Sequence, residues 1–152
     1  MNKYKLVIIS VFIIFNTSFF SCTKNISDSY DKIPILDEIT INDIRSGYGS
    51  KKFSVKDIVS GYLENIKAID EYGPALNSII TINPDALNIA DSLDNILQLG
   101  KPMGPLFGIP VLLKDNINTH DKMPTTGGSR ILRNSYPIRD SWVAEKLRRA
   151  GA

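Results

Sequence analysis

Residues Gly104–Asn116 read GPLFGIPVLLKDN, and the rest of the chain is best read outward from them. Lys101–Pro110 holds three prolines and two glycines, so it is a turn-rich approach with little room for regular structure. Ile109–Leu113 follows as a short, nearly continuous apolar run, which suits a strand buried on both faces, as in a parallel sheet. The run ends on Lys114, with Asp115 and Asn116 directly after it. A lysine at the end of a buried strand can be partly desolvated. Desolvation favours a neutral amine, and a neutral amine can act as a general base. A strand-terminal lysine is more often a solvated charge that marks where the strand stops, and spacing alone does not make the case for a base.

The flanks read as helices and one more strand. Thr40–Ser46 is expected to be a short helix ending at Gly47. Ser54 reads as an N-cap. Val55, Ile58, Val59, Tyr62, Leu63, Ile66 and Ile69 follow a 3.6-residue period, which predicts an amphipathic helix over Val55–Glu71. Its buried stripe is scaffold packing. Gly73-Pro74 breaks the helix, and the β-branched residues of Asn77–Ile82 predict a strand. Asn83-Pro84-Asp85 opens another helix, with Asn83 as cap and Gly100 as the residue just past its end. Asp115–Arg139 is a long irregular segment containing Gly127-Gly128, and long loops in compact domains are often functional. Asp140 or Ser141 caps a last helix over Trp142–Ala150, in which Trp142, Val143 and Leu147 are expected in the core. Arg148-Arg149 suits the negative end of that helix or solvent. The order helix, strand, helix, strand, helix implies an α/β architecture. Two strands are too few for a stable sheet, and a further strand is expected where the chain stops. The 152 residues are therefore expected to be a fragment, or the product of a truncated gene, with unpaired sheet edge and marginal stability in isolation.

The first residues are of another kind. Lys3 and Lys5 precede Leu6–Phe15, which is apolar except for Ser10 and far shorter than a bilayer span. That layout reads as a signal peptide over residues 1–21. Phe19-Phe20-Ser21-Cys22 resembles the lipobox of bacterial lipoproteins, which makes Cys22, the only cysteine, a candidate for lipidation. Phe19 departs from the usual aliphatic residue, and a plain secreted protein cleaved near Ser21 is the alternative. Polar residues 22–37 then form a tether. The expected location is the bacterial cell envelope, on a membrane facing the periplasm or exterior. Removal of residues 1–21 takes away two of 18 basic residues and none of 16 acidic ones. The remainder carries no net charge, and no basic patch points to nucleic acid.

Gly104–Asn116 resembles the lysine segment of the amidase-signature family. Pro74–Ile80 with Asn83–Leu87 resembles the region upstream of it, and Thr125–Ser129 with Asp140–Ala152 the region downstream. The similarity covers residues 38–152, the N-terminal part of the amidase domain, in the style of the bacterial peptide amidases and related amidotransferase A subunits. It implies a mixed sheet covered by helices, incomplete in this chain. It also implies a hydrolase acting on carbon–nitrogen bonds of linear amides, with small amides or the C-terminal amides of peptides as candidate substrates.

By resemblance, Lys114 is the catalytic base. It acts through a serine in a cis peptide on a serine nucleophile, with a backbone oxyanion hole and no cofactor or metal. Both serines of the family lie in a Gly/Ser-rich region beyond the position of Ala152. Gly127-Gly128-Ser129-Arg130 matches the earlier segment, so Ser129 is read as a loop residue that shapes the site wall. Asp115 and Asn116 either position the lysine loop or cap its backbone. His120, the only histidine, reads as a solvated loop residue, with no second histidine for a zinc site. The alternative function is a truncated, non-catalytic envelope lipoprotein with a binding or remnant role. A transamidation role fits less well, because an export signal separates the chain from cytosolic charged tRNA.

Overall fold

The computed structural model of the chain describes residues 36–101 and 103–152. Cys22, the expected signal peptide and most of the expected tether lie outside them. Among the described residues, four α-helices carry the fold: α1 (Ile41–Gly49), α2 (Val55–Asn65), α3 (Ala86–Gln98) and α4 (Trp142–Ala150). A π-helical segment, Ile66–Tyr72, continues α2, and a 3-10 turn spans Arg130–Leu132. None of these helices is long and apolar enough to cross a membrane.

The helix starts follow from local side-chain chemistry. Thr40 caps α1 in a reciprocal box with Asp43, and Ser54 caps α2 in the same way with Asp57. Asp94 of α3 adds to the second cap. Its two oxygens accept from the Val55 and Lys56 amides at 2.7 and 3.1 Å, and Lys56 pairs with Asp91 at 2.9 Å. The first turn of α2 is thus tied to the flank of α3 by groups that would otherwise lack partners. Asn83 does not cap α3 as expected. Its Oδ1 accepts from the Asp85 amide, which makes a local turn one step ahead of the helix. Gly100 (φ +65°) and Gly151 (φ +99°) sit just past α3 and α4 in the left-handed conformation that ends a helix. Ser141, not Asp140, caps α4.

Gly47 does not end α1. The helix runs on to Gly49, and Gly47 is a packing residue: a Cβ there would lie 2.1 Å from Cζ of Phe53. The Phe53 ring seats on that bare backbone, edge-on to Tyr48 at 5.8 Å. Around this pair lie buried Leu36, Ile44, Val55, Ile58 and Ala90, together with Phe107 and Ile109 of the opening motif. Trp142 and Val143 are not part of the core. Trp142 is 71% exposed, and Ala144 is the residue by which α4 packs. The periodicity that marked them as core reports an apolar face that stays partly exposed, with Lys146 Nζ over the Trp142 ring at 5.5 Å from its centroid.

The two expected strands are absent from the described residues. Asn77–Ile82 and Ile109–Leu113 carry no strand pairing. The reason is visible in the backbone. Ala75 and Asn77 have φ of +53° and +52°, outside the β region. The amides of Ser78 and Ile79 donate to the buried Asp70 carboxylate at 2.8 and 3.0 Å, and Ser78 Oγ donates to it at 2.5 Å. A strand exists only with a ladder partner, and these donors are spent on a side chain. The described part of the molecule is helical, in place of the mixed sheet expected.

Candidate active site

The segment GPLFG is fixed before the lysine is reached. Gly104 lies against the end of α4, where a Cβ would come within 2.2 Å of the Ala150 carbonyl oxygen. The Leu106 amide donates to Ala150 O at 3.0 Å, and the Gly108 amide to Gly151 O at 2.8 Å. Gly108 adopts φ +69°, and its carbonyl accepts the buried Tyr48 hydroxyl at 2.8 Å. Burial pushes the Tyr48 phenol well above its usual range, so it is a neutral donor there. A Cβ on Gly108 would meet Val55 at 2.8 Å. The chain therefore leaves this junction in one direction, toward Val111–Lys114.

Lys114 opens a tight turn. Its carbonyl accepts from the Ile117 amide at 2.9 Å, with Asp115 second in the turn. The Lys114 side chain is exposed, and it forms no ion pair among the described residues. The desolvation expected of it is not supplied by these residues.

Asp115 is the organising residue. One carboxylate oxygen accepts the Thr126 amide at 3.0 Å. The other accepts the Thr126 hydroxyl and the Gly128 amide, the latter at 3.2 Å. The Asp115 carbonyl accepts the Gly127 amide at 2.8 Å. The Thr126 hydroxyl, first, and then the Thr126 and Gly128 amides hold the Asp115 carboxyl below the usual carboxylate range. Gly127 and Gly128 take φ of +56° and +77°, and a Cβ on either would meet nothing. These glycines serve the backbone conformation and leave the surface above them bare. Ser129 is half-buried and donates its amide to Thr126 O at 2.9 Å. It shares no hydrogen bond with Lys114 among the described residues. Asn116 is exposed.

Beyond this loop, a second tie holds residues 118–121 to α4. Asn118 O accepts the Ser141 amide at 2.9 Å, and Asp140 accepts the His120 amide at 2.7 Å. Arg148 then bridges Asp140 (2.9 Å) and Asp121 (3.1 Å). Arg148 foremost, with the His120 amide, keeps the Asp140 carboxyl low. His120 itself is exposed on an open cleft of about 540 Å³ lined also by Asp85, Lys122 and Tyr136. Among the described residues no group of His, Cys, Asp and Glu could hold a metal ion. The sequence pointed to Lys114 and to Asp115 beside it. It marked Thr125–Ser129 as resembling a family segment but gave the Thr126 hydroxyl no role, and it did not point to the Asp121–Arg148–Asp140 bridge.

Comparison with known proteins finds relatives among amidases and amidotransferase A subunits. The family model described as amidase matches residues 57–152. The glutamyl-tRNA(Gln) amidotransferase A subunit of Alkaliphilus metalliredigens is 42% identical over 118 residues, and a probable amidase of Arabidopsis thaliana is 42% identical over 119. Each alignment takes in 77% of this chain and 23% of the relative. The crystal structure of the peptide amidase of Stenotrophomonas maltophilia superposes with a TM-score of 0.72 at 38% identity, over 76% of this chain and 23% of that one. An amidase family protein of Bacillus anthracis also superposes at 0.72, with 29% identity, over 91% of this chain and 27% of its own. The chain thus spans about a quarter of the length of the relatives it matches. With a family model matching well over half of its residues, the chain belongs to the amidase family.

Proposed function

We propose that this chain is the lysine-bearing portion of an amidase that hydrolyses carboxamides, the C-terminal amides of peptides foremost, with Lys114 as the base. The observation that carries the reading is the Lys114–Ile117 turn, held between the fixed Gly108 junction and the Asp115 loop. The likeness to a peptide amidase supports the substrate class. In the proposed reaction, the Lys114 amine takes a proton relayed by a cis-peptide serine from a serine nucleophile. That serine adds to the amide carbonyl, the carbon–nitrogen bond breaks, and ammonia leaves with the proton. Water then releases the acid from the acyl-enzyme. Neither serine lies between Met1 and Ala152 in this reading.

The test is ammonia release from peptide amides by the protein expressed from its own gene. Lys114→Ala is expected to lower kcat by about 10²–10⁴-fold, the usual size of a lost general base. A Lys114→Ala protein with undiminished turnover would refute the role. We further propose that residues 1–21 are a signal peptide and that Cys22 carries acyl chains, which hold the enzyme to an envelope membrane. Metabolic labelling with a fatty acid is expected to mark the parent and not Cys22→Ser. An unlabelled parent overturns the anchor and leaves the amidase reading intact.

A further inference from the structure

We infer that Asp115 is a positioning residue for Lys114: by clamping the Thr126–Gly128 loop to the turn that Lys114 opens, it sets where the lysine amine stands. The inference rests on the amidase reading of Lys114 for its functional half. Its structural half stands alone.

The clamp has four hydrogen bonds within three residues. The Asp115 carboxylate receives the Thr126 amide, the Thr126 hydroxyl and the Gly128 amide, and the Asp115 carbonyl receives the Gly127 amide. No other side chain accepts a hydrogen bond from these donors among the described residues, apart from the Thr126 hydroxyl, which the Gly128 amide also reaches at 3.0 Å. The loop has no buried apolar side chain of its own. Gly127 and Gly128 are exposed and Thr126 is half-buried, so packing does not hold it. Its place depends on Asp115 and, at its start, on the Thr125 amide, which donates to Ser135 O at 2.8 Å. The dependence runs the other way as well. Lys114 is exposed and unpaired among the described residues, so the turn beneath it is fixed by the Ile117 amide on one side and by the clamped Asp115 on the other. A base works only when its nitrogen stands within hydrogen-bond reach of the proton it takes, and a displacement of about 1 Å can cost a hundredfold in rate. Asp115 moves no proton in this scheme.

The experiment pairs two readouts on Asp115→Asn, Thr126→Val and Thr126→Ser in the full protein. Hydrogen exchange of the segment around Gly127-Gly128 reports the clamp. Steady-state ammonia release from a peptide amide reports the position of Lys114. Thr126→Val keeps the shape of threonine and removes the hydroxyl, whereas Thr126→Ser keeps the hydroxyl.

Asp115→Asn and Thr126→Val are expected to raise loop exchange by about tenfold or more, as for any lost hydrogen bond that limits local opening. Both are expected to lower kcat by about tenfold to a hundredfold with KM within about twofold, the signature of an interaction felt in the transition state. Thr126→Ser is expected to restore both readouts toward the parent. Parent-like loop exchange in Asp115→Asn and Thr126→Val would overturn the clamp. A loosened loop with unchanged kcat would overturn the positioning role. A parent that releases no ammonia from any peptide amide would count against the amidase reading instead, and exchange alone would then decide the clamp.

Discussion

At Gly108 a single missing side chain does two jobs. The residue lies at φ +69°, and a Cβ would press on Val55 at 2.8 Å and Tyr48 at 3.0 Å. Gly108→Ala should therefore lower stability by about 1–3 kcal/mol through left-handed strain and overpacking, measured by denaturant unfolding. If the variant unfolds at the parent's denaturant midpoint, the junction is not as tight as described. The sequence showed this glycine only as part of a motif. Its conformation, and the Tyr48 hydroxyl that reads its carbonyl, depend on a residue far away in the chain. Lys114 was singled out by the resemblance of its segment to the amidase-signature family, since an apolar run that ends in a charge does not by itself separate a base from a solvated lysine. Thr126 was not, because its hydroxyl matters only once Asp115 has been folded against it.

Helix starts were the most legible elements, since a cap is a local event. Ser54 with Asp57 could be read three residues apart. What could not be read is Asp94, which reaches the same helix start from α3. Asp94→Ala should cost about 1 kcal/mol, the size of a lost cap, visible as a lower Tm. An unchanged Tm would mean that water replaces Asp94 without loss. The α2 periodicity was right in phase but wrong in kind past Asn65. The helix widens to π there, and its buried Asp70 captures the amides of Ser78 and Ile79. A β-branched run reads as a strand on propensity, but propensity says nothing of where its amides go.

The molecule as a whole carries several carboxylates held below their usual range by hydrogen bonds: Asp43, Asp57, Asp70, Asp115 and Asp140. Each lowered group favours the fold above its unfolded value of about 4, and loses that contribution as pH falls through its folded value. Tyr48 is shifted upward by burial, so its contribution is complete below about pH 10 and is lost above it. Thermal unfolding across pH should show a plateau near neutrality, a decline below about pH 4 and a second decline above about pH 10. A Tm that stays level down to about pH 2 would contradict the acid limb. Large apolar side chains such as Leu112, Ile131 and Ile138 stand on the surface of the described residues, Ile131 at 93% exposed. Composition could not reveal that, because exposure depends on which neighbours are present.

The backbone bonds from Leu106 to Ala150 and from Gly108 to Gly151 also order events in time. A ribosome delivers the lysine segment well before it delivers the residues those amides must meet. Until Gly151 has emerged, GPLFG lacks its acceptors and the turn after it has no fixed base. Lys114 is thus set in place only after α4 has emerged, and a nascent chain halted before Gly151 would carry the Asp115 clamp without the junction on which the lysine turn rests.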